Sequence, residues 1–195
     1  MRIREQLLVM LISQSLLGSA VGSAQHHGAI PNGKVTSGRL SFDGQATAGD
    51  FVGSTTTVSG QLAGAPDLTG VRGWVEAPVK TLKTGNGKRD KDLNKSLESD
   101  KYPVLRFDLS RISRTGGEGD SLGVILHGAL AIHGVTRAVD LPGSIRLSGS
   151  TARVHTDFPL NLKDYRIGGL SKLLGMLKMY EDIEVHGDIL FALGN

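Results

Sequence analysis

The sequence predicts an all-β protein, an antiparallel sandwich or barrel, with one or two short helices. Apolar and polar residues alternate with a period of two in several short segments, as in strands with one buried face. Turn-forming residues separate these segments. The 27 glycines of the 195-residue chain follow no fixed period, which is typical of turns and bulges in a strongly bent sheet.

Five segments carry the alternation from which strands are assigned. In each, apolar or small side chains occupy every second position and therefore share one face of the strand. These positions are Leu40 and Phe42; Val71, Gly73, Val75 and Ala77; Leu105, Phe107 and Leu109; Val124, Leu126, Gly128, Leu130 and Ile132; and Val185, Gly187, Ile189 and Phe191. No linker interrupts the pattern, so we expect one domain with a single core.

Two segments break this period and are predicted to be helical. Residues 86–99 are rich in helix formers, with Leu93 and Leu97 one turn apart, and predict a short, mostly solvated helix. Residues 170–179 carry a one-sided apolar stripe at i, i+3, i+4 and i+7, which predicts an amphipathic helix before the last strand. The stripe consists of Leu170, Leu173, Leu174 and Leu177, with Met176 beside it.

The first 24 residues have the three parts of a secretory signal peptide. Arg2 and Arg4 give a basic start, residues 7–21 are mostly apolar, and small residues at 22–24 supply a cleavage position. We therefore expect export, with a mature domain spanning residues 25 to 195. A membrane anchor is the alternative, but the apolar run is short and interrupted, whereas a span needs about 20 apolar residues.

Composition excludes several functional classes. The formal net charge is +3 and no basic run is interleaved with aromatic residues, so no nucleic-acid partner is expected. The chain has no cysteine, which rules out disulfides, thiolate metal sites and a lipid anchor on cysteine.

The histidine and serine patterns give little support for a metal site or for catalysis. His127 and His133 are six residues apart, so on one extended strand they lie roughly 20 Å apart, too far to share a metal ion. His155 lies between Arg153 and Asp157, and His186 lies between Glu184 and Asp188, so both are expected to be solvated or salt-bridged on the surface. No Gly-x-Ser-x-Gly nucleophile motif is present. We therefore predict no catalytic residue, no metal ligand and no cofactor.

Four motifs carry a resemblance to a known family. They are Lys83-Thr84-Gly85-Asn86; Tyr102-Pro103-Val104-Leu105-Arg106-Phe107; the run from Gly128 to Val139 with His133-Gly134-Val135-Thr136 at its centre; and Asp164-Tyr165-Arg166-Ile167. In this order and spacing they resemble the YceI-like family of lipid- and polyisoprenoid-binding proteins, over about residues 52–191. Thr55 departs from the pattern, since the family usually has an aromatic residue there.

The resemblance implies a lipocalin-like antiparallel β-barrel that is not an enzyme. It also implies export to the periplasm, with secretion as an alternative, and an isoprenoid or other amphiphile inside the barrel. For His133 it implies a place at a hairpin end, where we expect a structural hydrogen bond to the turn backbone. Threonine in place of an aromatic residue at Thr55 is expected to add room and polarity to the barrel wall.

The apolar faces of the strands define the candidate binding site. An eight-stranded barrel either fills with its own side chains or holds one small ligand. The low aromatic content, 5 %, and the resemblance both favour a hollow interior. The predicted lining is Leu40, Phe42, Val71, Val75, Leu105, Phe107, Leu126, Leu130, Ile132, Val185 and Ile189. The filled-barrel alternative would make the protein an interaction module.

The stripe at residues 170–177 is predicted either as a lid over the barrel mouth or as a plain capping helix. The candidate lid residues are Leu170, Leu173, Leu174, Met176 and Leu177. Lys172 and Lys178 near its polar face would suit transient contact with an anionic membrane surface. The expected partner is a long-chain lipid: a polyisoprenoid, a prenylated quinone or a fatty amphiphile.

A third hypothesis is an enzyme that acts on a lipid held in the barrel. It requires polar side chains that converge on the interior, for example His133, Asp164 and Tyr165 in one pocket. The inward-facing pattern offers almost none, so this hypothesis ranks below the other two.

Overall fold

The computed structural model describes residues 29–47, 49–168 and 179–194, and most of them lie in antiparallel strands. The predicted signal peptide, the domain boundary at residue 25 and the predicted lid at 170–177 lie outside the described residues. The strands are β1 (Asn32–Gly44), β2 (Phe51–Thr55), β3 (Ser59–Ala63), β4 (Arg72–Pro78), β5 (Val104–Glu118), β6 (Ser121–Ile132), β7 (Val135–Ser148), β8 (Thr151–Asn161) and β9 (Asp182–Gly194). A helix, α1 (Gly87–Ser96), and 3-10 turns at Leu68–Gly70, Val79–Thr81 and Leu162–Tyr165 complete the described elements.

The strands close into one barrel. From β3 onward each strand pairs with the next, and β9 returns to pair with β1 along its length. β2 and β3 occupy a single position in the barrel, because both pair with β1 in one register: Leu40 is opposite Thr55 and Lys34 is opposite Gln61. The architecture is therefore an eight-stranded antiparallel β-barrel, which confirms the predicted fold class.

The break between β2 and β3 is fixed by a chain of hydroxyl hydrogen bonds. Thr81 donates its hydroxyl to the carbonyl oxygen of Pro78 at 2.7 Å. Thr55 therefore donates to Thr81 Oγ1, also at 2.7 Å, and accepts from the amide of Thr57 at 3.0 Å. Because Thr55 is buried and its hydroxyl is fully engaged, the expectation that it adds free polarity to the barrel wall is wrong.

Helix α1 begins at a well-formed cap within the segment predicted to be helical. Asn86 Oδ1 accepts hydrogen bonds from the amides of Lys88 and Arg89 at 3.0 and 3.1 Å. An asparagine at this position satisfies amides that have no partner inside the helix. The helix stops at Leu97, whose amide bonds to the carbonyl of Leu93. No helix in the described part of the chain is long and apolar enough to cross a membrane.

The two ends of the barrel are built differently. At one end, here called the helix end, lie the β4–β5 connection with α1, the β6–β7 turn and the start of the β8–β9 connection. At the other, here called the turn end, lie the β3–β4 connection with the 3-10 turn Leu68–Gly70, and the β5–β6 and β7–β8 turns. The antiparallel registers place each of these connections at its end, and the core lies between the two ends.

Candidate functional site

The barrel encloses a cavity of about 960 Å³. Aliphatic and aromatic side chains from all around the barrel dominate its wall. The volume is at the upper end of the range for small-molecule sites, roughly 300–1,000 Å³. An enclosed apolar surface of this size favours hydrocarbon over water.

All eleven side chains that the sequence predicts to line the barrel lie on the wall of this cavity. They are Leu40 and Phe42 of β1, Val71 just before β4, Val75 of β4, Leu105 and Phe107 of β5, Leu126, Leu130 and Ile132 of β6, and Val185 and Ile189 of β9. They leave space between them, so the barrel is not filled by its own side chains.

Sequence reasoning missed the lining that β7 and β8 contribute. These strands supply Leu141, Ile145, Leu147, Ala152, Val154, Phe158 and Leu160. Their period-two spacing is readable in the sequence, so the signal was present. Leu93 and Leu97 of α1 also line the cavity, although the sequence indicated only that they share a helix face.

Two of the aromatic side chains that line the cavity, Phe42 and Phe107, leave its centre free because each packs against a glycine. Phe42 on β1 packs against Gly53 on β2, and Phe107 on β5 packs against Gly128 on β6. A Cβ at Gly128 would lie 2.6 Å from Cε2 and Cζ of Phe107, well inside contact distance. The glycines thus make room for the rings at the wall.

The helix end of the cavity is covered by apolar side chains. Leu82, Leu97, Leu162 and Ile167 are buried and line this end. The loop before α1 is fixed by Asp90, whose carboxylate accepts from the amide and the hydroxyl of Thr84 at 2.8 and 2.7 Å. This carboxylate therefore orders the loop that positions the helix over the barrel.

Three of the four motifs that resemble the family meet at the same end. His133 and Gly134 form the β6–β7 turn, both with positive φ (52° and 73°), as a two-residue hairpin turn requires. His133 Nδ1 donates to the carbonyl oxygen of Tyr165 at 3.1 Å, and its ring meets Tyr102 edge-on with centroids 5.0 Å apart. The expected hydrogen bond thus exists, but it reaches a different turn from the one that contains His133.

The three side chains that would support an enzyme do not converge on the cavity. None of His133, Asp164 and Tyr165 is part of its lining. Asp164 lies 3.6 Å from Arg137 in an exposed ion pair. Tyr165 is buried, and this burial raises the pKa of its phenol.

A histidine–aspartate network joins β8, β9 and β1 on the outside of the barrel. Asp157 accepts from His186 Nδ1 at 2.6 Å and from His155 Nε2 at 2.8 Å, and Asp43 lies 3.4 Å from His186 Nε2. The hydrogen bond with Asp157 raises the pKa of His186, and the same bond lowers the pKa of Asp157. These histidines are salt-bridged at the surface, in the manner that the sequence predicts.

His127 links three neighbouring strands on the outer face. Its Nδ1 lies 2.6 Å from Asp140 and its Nε2 lies 2.8 Å from Ser113. The order Ser–His–Asp is that of hydrolase triads, but the three side chains lie outside the barrel, away from the cavity. Within the described ranges no group of three or more histidines and carboxylates is arranged to hold a metal ion.

The turn end of the cavity is open and polar. Asp67, Thr69, Arg114 and Ser150 contribute to the lining there and are exposed. Some apolar lining residues at this end, such as Ile30 and Leu68, are only half-buried, whereas Val71 and Leu122 are buried. Sequence reasoning missed these polar residues, because turn residues carry no periodic signal that would place them at a cavity mouth.

A closed antiparallel barrel around an apolar cavity with a polar mouth defines the class of lipocalin-like barrels. The chain belongs to the YceI-like family: the family model for the YceI-like domain matches residues 32–191. This match covers every described strand except the last residues of β9. A comparison with curated proteins finds no match.

Solved structures share this fold at low sequence identity. A polyisoprenoid-binding domain from Saccharophagus degradans, implicated in plant cell wall breakdown, superposes with a TM-score of 0.71 at 16% identity, covering 85% of this chain and 99% of that one. BcnA from Burkholderia cenocepacia gives a TM-score of 0.66 at 16% identity over 78% and 95%. The YceI protein of Campylobacter jejuni gives 0.56 at 16% identity over 73% and 84%.

Proposed function

We propose that this protein binds a long-chain apolar lipid inside its barrel and stores or carries it outside the cytoplasm. The observation that carries the proposal is the apolar cavity of about 960 Å³ between the strands. A polyisoprenoid, a prenylated quinone or a fatty amphiphile would each present the hydrocarbon that such a wall accepts.

The size of the cavity sets the kind of chain that binds. At about 30 Å³ per water-sized group, it has room for roughly thirty such groups. Burial contributes about 0.8 kcal/mol per CH₂, so a chain of about fifteen carbons gains on the order of 12 kcal/mol. Association costs an estimated 4–15 kcal/mol, and tight binding therefore needs a chain of at least this length.

The relationship to solved structures supports an isoprenoid as the first ligand to test. The Saccharophagus degradans domain is described as polyisoprenoid-binding, and it covers almost the whole of this barrel. Since identity is 16%, ligand choice in the present chain depends on its own lining residues.

The decisive experiment is extraction of the purified protein with organic solvent, followed by mass spectrometry of the extract. We expect a stoichiometric lipid, and we expect delipidated protein to take up prenyl or acyl chains with affinity that rises with chain length. Protein that yields no lipid and takes up neither chain type would overturn the proposal.

Export and a moving lid are part of the same proposal. Residues 1–24 would direct the chain to the periplasm, and mass spectrometry of periplasmic protein should then find an N-terminus at Gln25. Residues 170–177 would cover the helix end of the cavity, because the β8–β9 connection to which they belong begins and ends there. Leu173→Asp with Leu177→Asp should then speed lipid release. An uncleaved chain in the cytoplasm would contradict the first expectation, and unchanged release rates would contradict the second.

A further inference from the structure

The two ends of the cavity differ in polarity. At the helix end, Leu82, Leu97 and Ile167 are buried and apolar. At the turn end, Arg114 and Ser150 are exposed and polar. An amphiphile in this cavity gains most when its tail lies at the apolar end and its head remains near water.

Arg114 is the cation among the described lining residues at the turn end, and its position on β5 directs it to the cavity side. It pairs with Val124 of β6, which is 1% exposed and belongs to the inward-facing row of that strand. Its guanidinium donates to the carbonyl oxygens of Gly116 and Gly117, which holds the side chain at the rim. A guanidinium has five N–H donors. The remaining donors have no carboxylate partner among the residues that the structure describes.

The neighbouring polar groups define what kind of head fits. Asp67 carries the negative charge at this mouth, and Thr69 Oγ1 and the amide of Gly70 donate to it at 2.6 and 3.0 Å. The hydroxyl of Ser150 lies at the same mouth, while its carbonyl accepts from the amide of Leu193. Arg114 is a donor without acceptor capacity, so its partner must be rich in acceptor oxygens.

We propose that the bound lipid lies with its tail toward α1 and an oxyanionic head, a carboxylate or a phosphate, at the turn end, where Arg114 is its charged partner. This inference rests on the proposed function, since it names the head and the direction of the ligand in the same cavity. The 3-10 turn Leu68–Gly70 contacts β5, so the carboxylate of Asp67, which caps this turn, lies on the same side of the mouth and weakens the attraction of Arg114 for the head.

The test compares three ligands with one tail: hexadecanol, hexadecanoate and hexadecyl phosphate. We expect delipidated wild-type protein to bind at least one of the two acids about tenfold more tightly than the alcohol, because a hydrogen bond to a charged group is of that strength. Arg114→Gln should remove this preference and leave the alcohol unaffected, whereas Arg114→Lys should retain most of it. Asp67→Asn should strengthen binding of the acids.

Arg146→Gln is the matched control. Arg146 lies near the same end of the barrel, opposite Ser121, and is absent from the cavity lining. We expect this variant to keep the acid preference. Equal loss of acid binding in both variants would show a general charge effect and overturn the proposal.

The direction of the lipid is tested with 16-bromohexadecanoate in a crystal of the complex. The bromine should lie beside Leu97 at the helix end, and a bromine beside Arg114 would overturn the proposal. If the wild type binds all three ligands equally, the head assignment fails while the proposed function stands. If it binds none of these chains and no prenyl chain, the proposed function itself fails.

Discussion

Phe107 on β5 packs its ring against Gly128 on β6, and a Cβ at position 128 would lie 2.6 Å from the ring atoms Cε2 and Cζ. The same Cβ would also meet the backbone carbonyl of Asp108. The pair explains how a large ring can belong to the barrel wall while the centre stays open. It also makes position 128 intolerant of any side chain.

Gly128→Ala should therefore destabilise the protein. Overpacking of this kind typically costs about 1–3 kcal/mol, because the ring and the strand must both shift. Chemical denaturation monitored by circular dichroism measures the change. Gly123→Ala on the same strand is the control, since its Cβ would meet the flexible hydroxyl of Thr115 at 3.0 Å and the backbone of Gly116 at an ordinary contact distance of 3.6 Å. Equal stabilities of the two variants would contradict the packing argument.

A comparison of the variants Leu126→Trp and Val124→Trp distinguishes an open barrel from a packed one. Both positions face inward on β6, but Leu126 lines the cavity, whereas Val124 is 1% exposed and does not. We expect Leu126→Trp to fold with a small loss of stability and to lose lipid uptake. Val124→Trp should unfold at clearly lower denaturant, by about 1–3 kcal/mol, because no space receives the ring. The reverse order of stabilities would show that the cavity does not exist in solution.

The pairing of His186 with Asp157 predicts a pH-dependent stability. The pKa of His186 is raised, so its contribution is complete below the ordinary histidine value of about 6.5 and is lost as pH rises through the folded pKa. The pKa of Asp157 is lowered, so its contribution is present above the ordinary value of 3.8 and is lost as pH falls through the folded pKa. Stability should therefore decline on both sides of a mildly acidic optimum.

Denaturation of the wild type over a series of pH values measures this profile. His186→Gln should flatten the alkaline side, and Asp157→Asn should flatten both sides, because it removes the shared partner. Asp157 still accepts from His155 in the first variant, so the acid side of the profile should remain. If stability depended on pH in the same way in the wild type and in His186→Gln, the pairing of His186 with Asp157 would not be the cause of the alkaline decline.

Asn86→Ala should destabilise helix α1, which lies over the helix end of the cavity. Removal of an N-cap side chain costs about 0.5–2 kcal/mol, and here two amides lose their acceptor. Leu93 of α1 and Leu97 at its C-terminal end line the cavity. Since the lost cap destabilises this helix and not the strands, hydrogen exchange in α1 should accelerate more than exchange in β6. Asn86→Asp is the control that keeps an acceptor oxygen, and it should retain wild-type exchange.

Much of the barrel wall could be predicted from period-two alternation. In β6 the residues Leu126, Leu130 and Ile132 fall on one face whatever the partner strands are, since successive side chains alternate across a strand. The same rule applied to β7 and β8 would have found Leu141 and Phe158. What alternation could not decide is whether the apolar face surrounds space or other side chains.

The sequence by itself determined five of the strands, the helix at α1 and the family, because local spacing and ordered motifs encode them. Only the tertiary structure decided that the interior is open, since Gly128 and Gly53 sit beside Phe107 and Phe42 through pairing between strands. It also decided that Arg114 belongs to the mouth and that His133 bonds to Tyr165. Such contacts join residues far apart in the chain, and no local pattern records the distance between them.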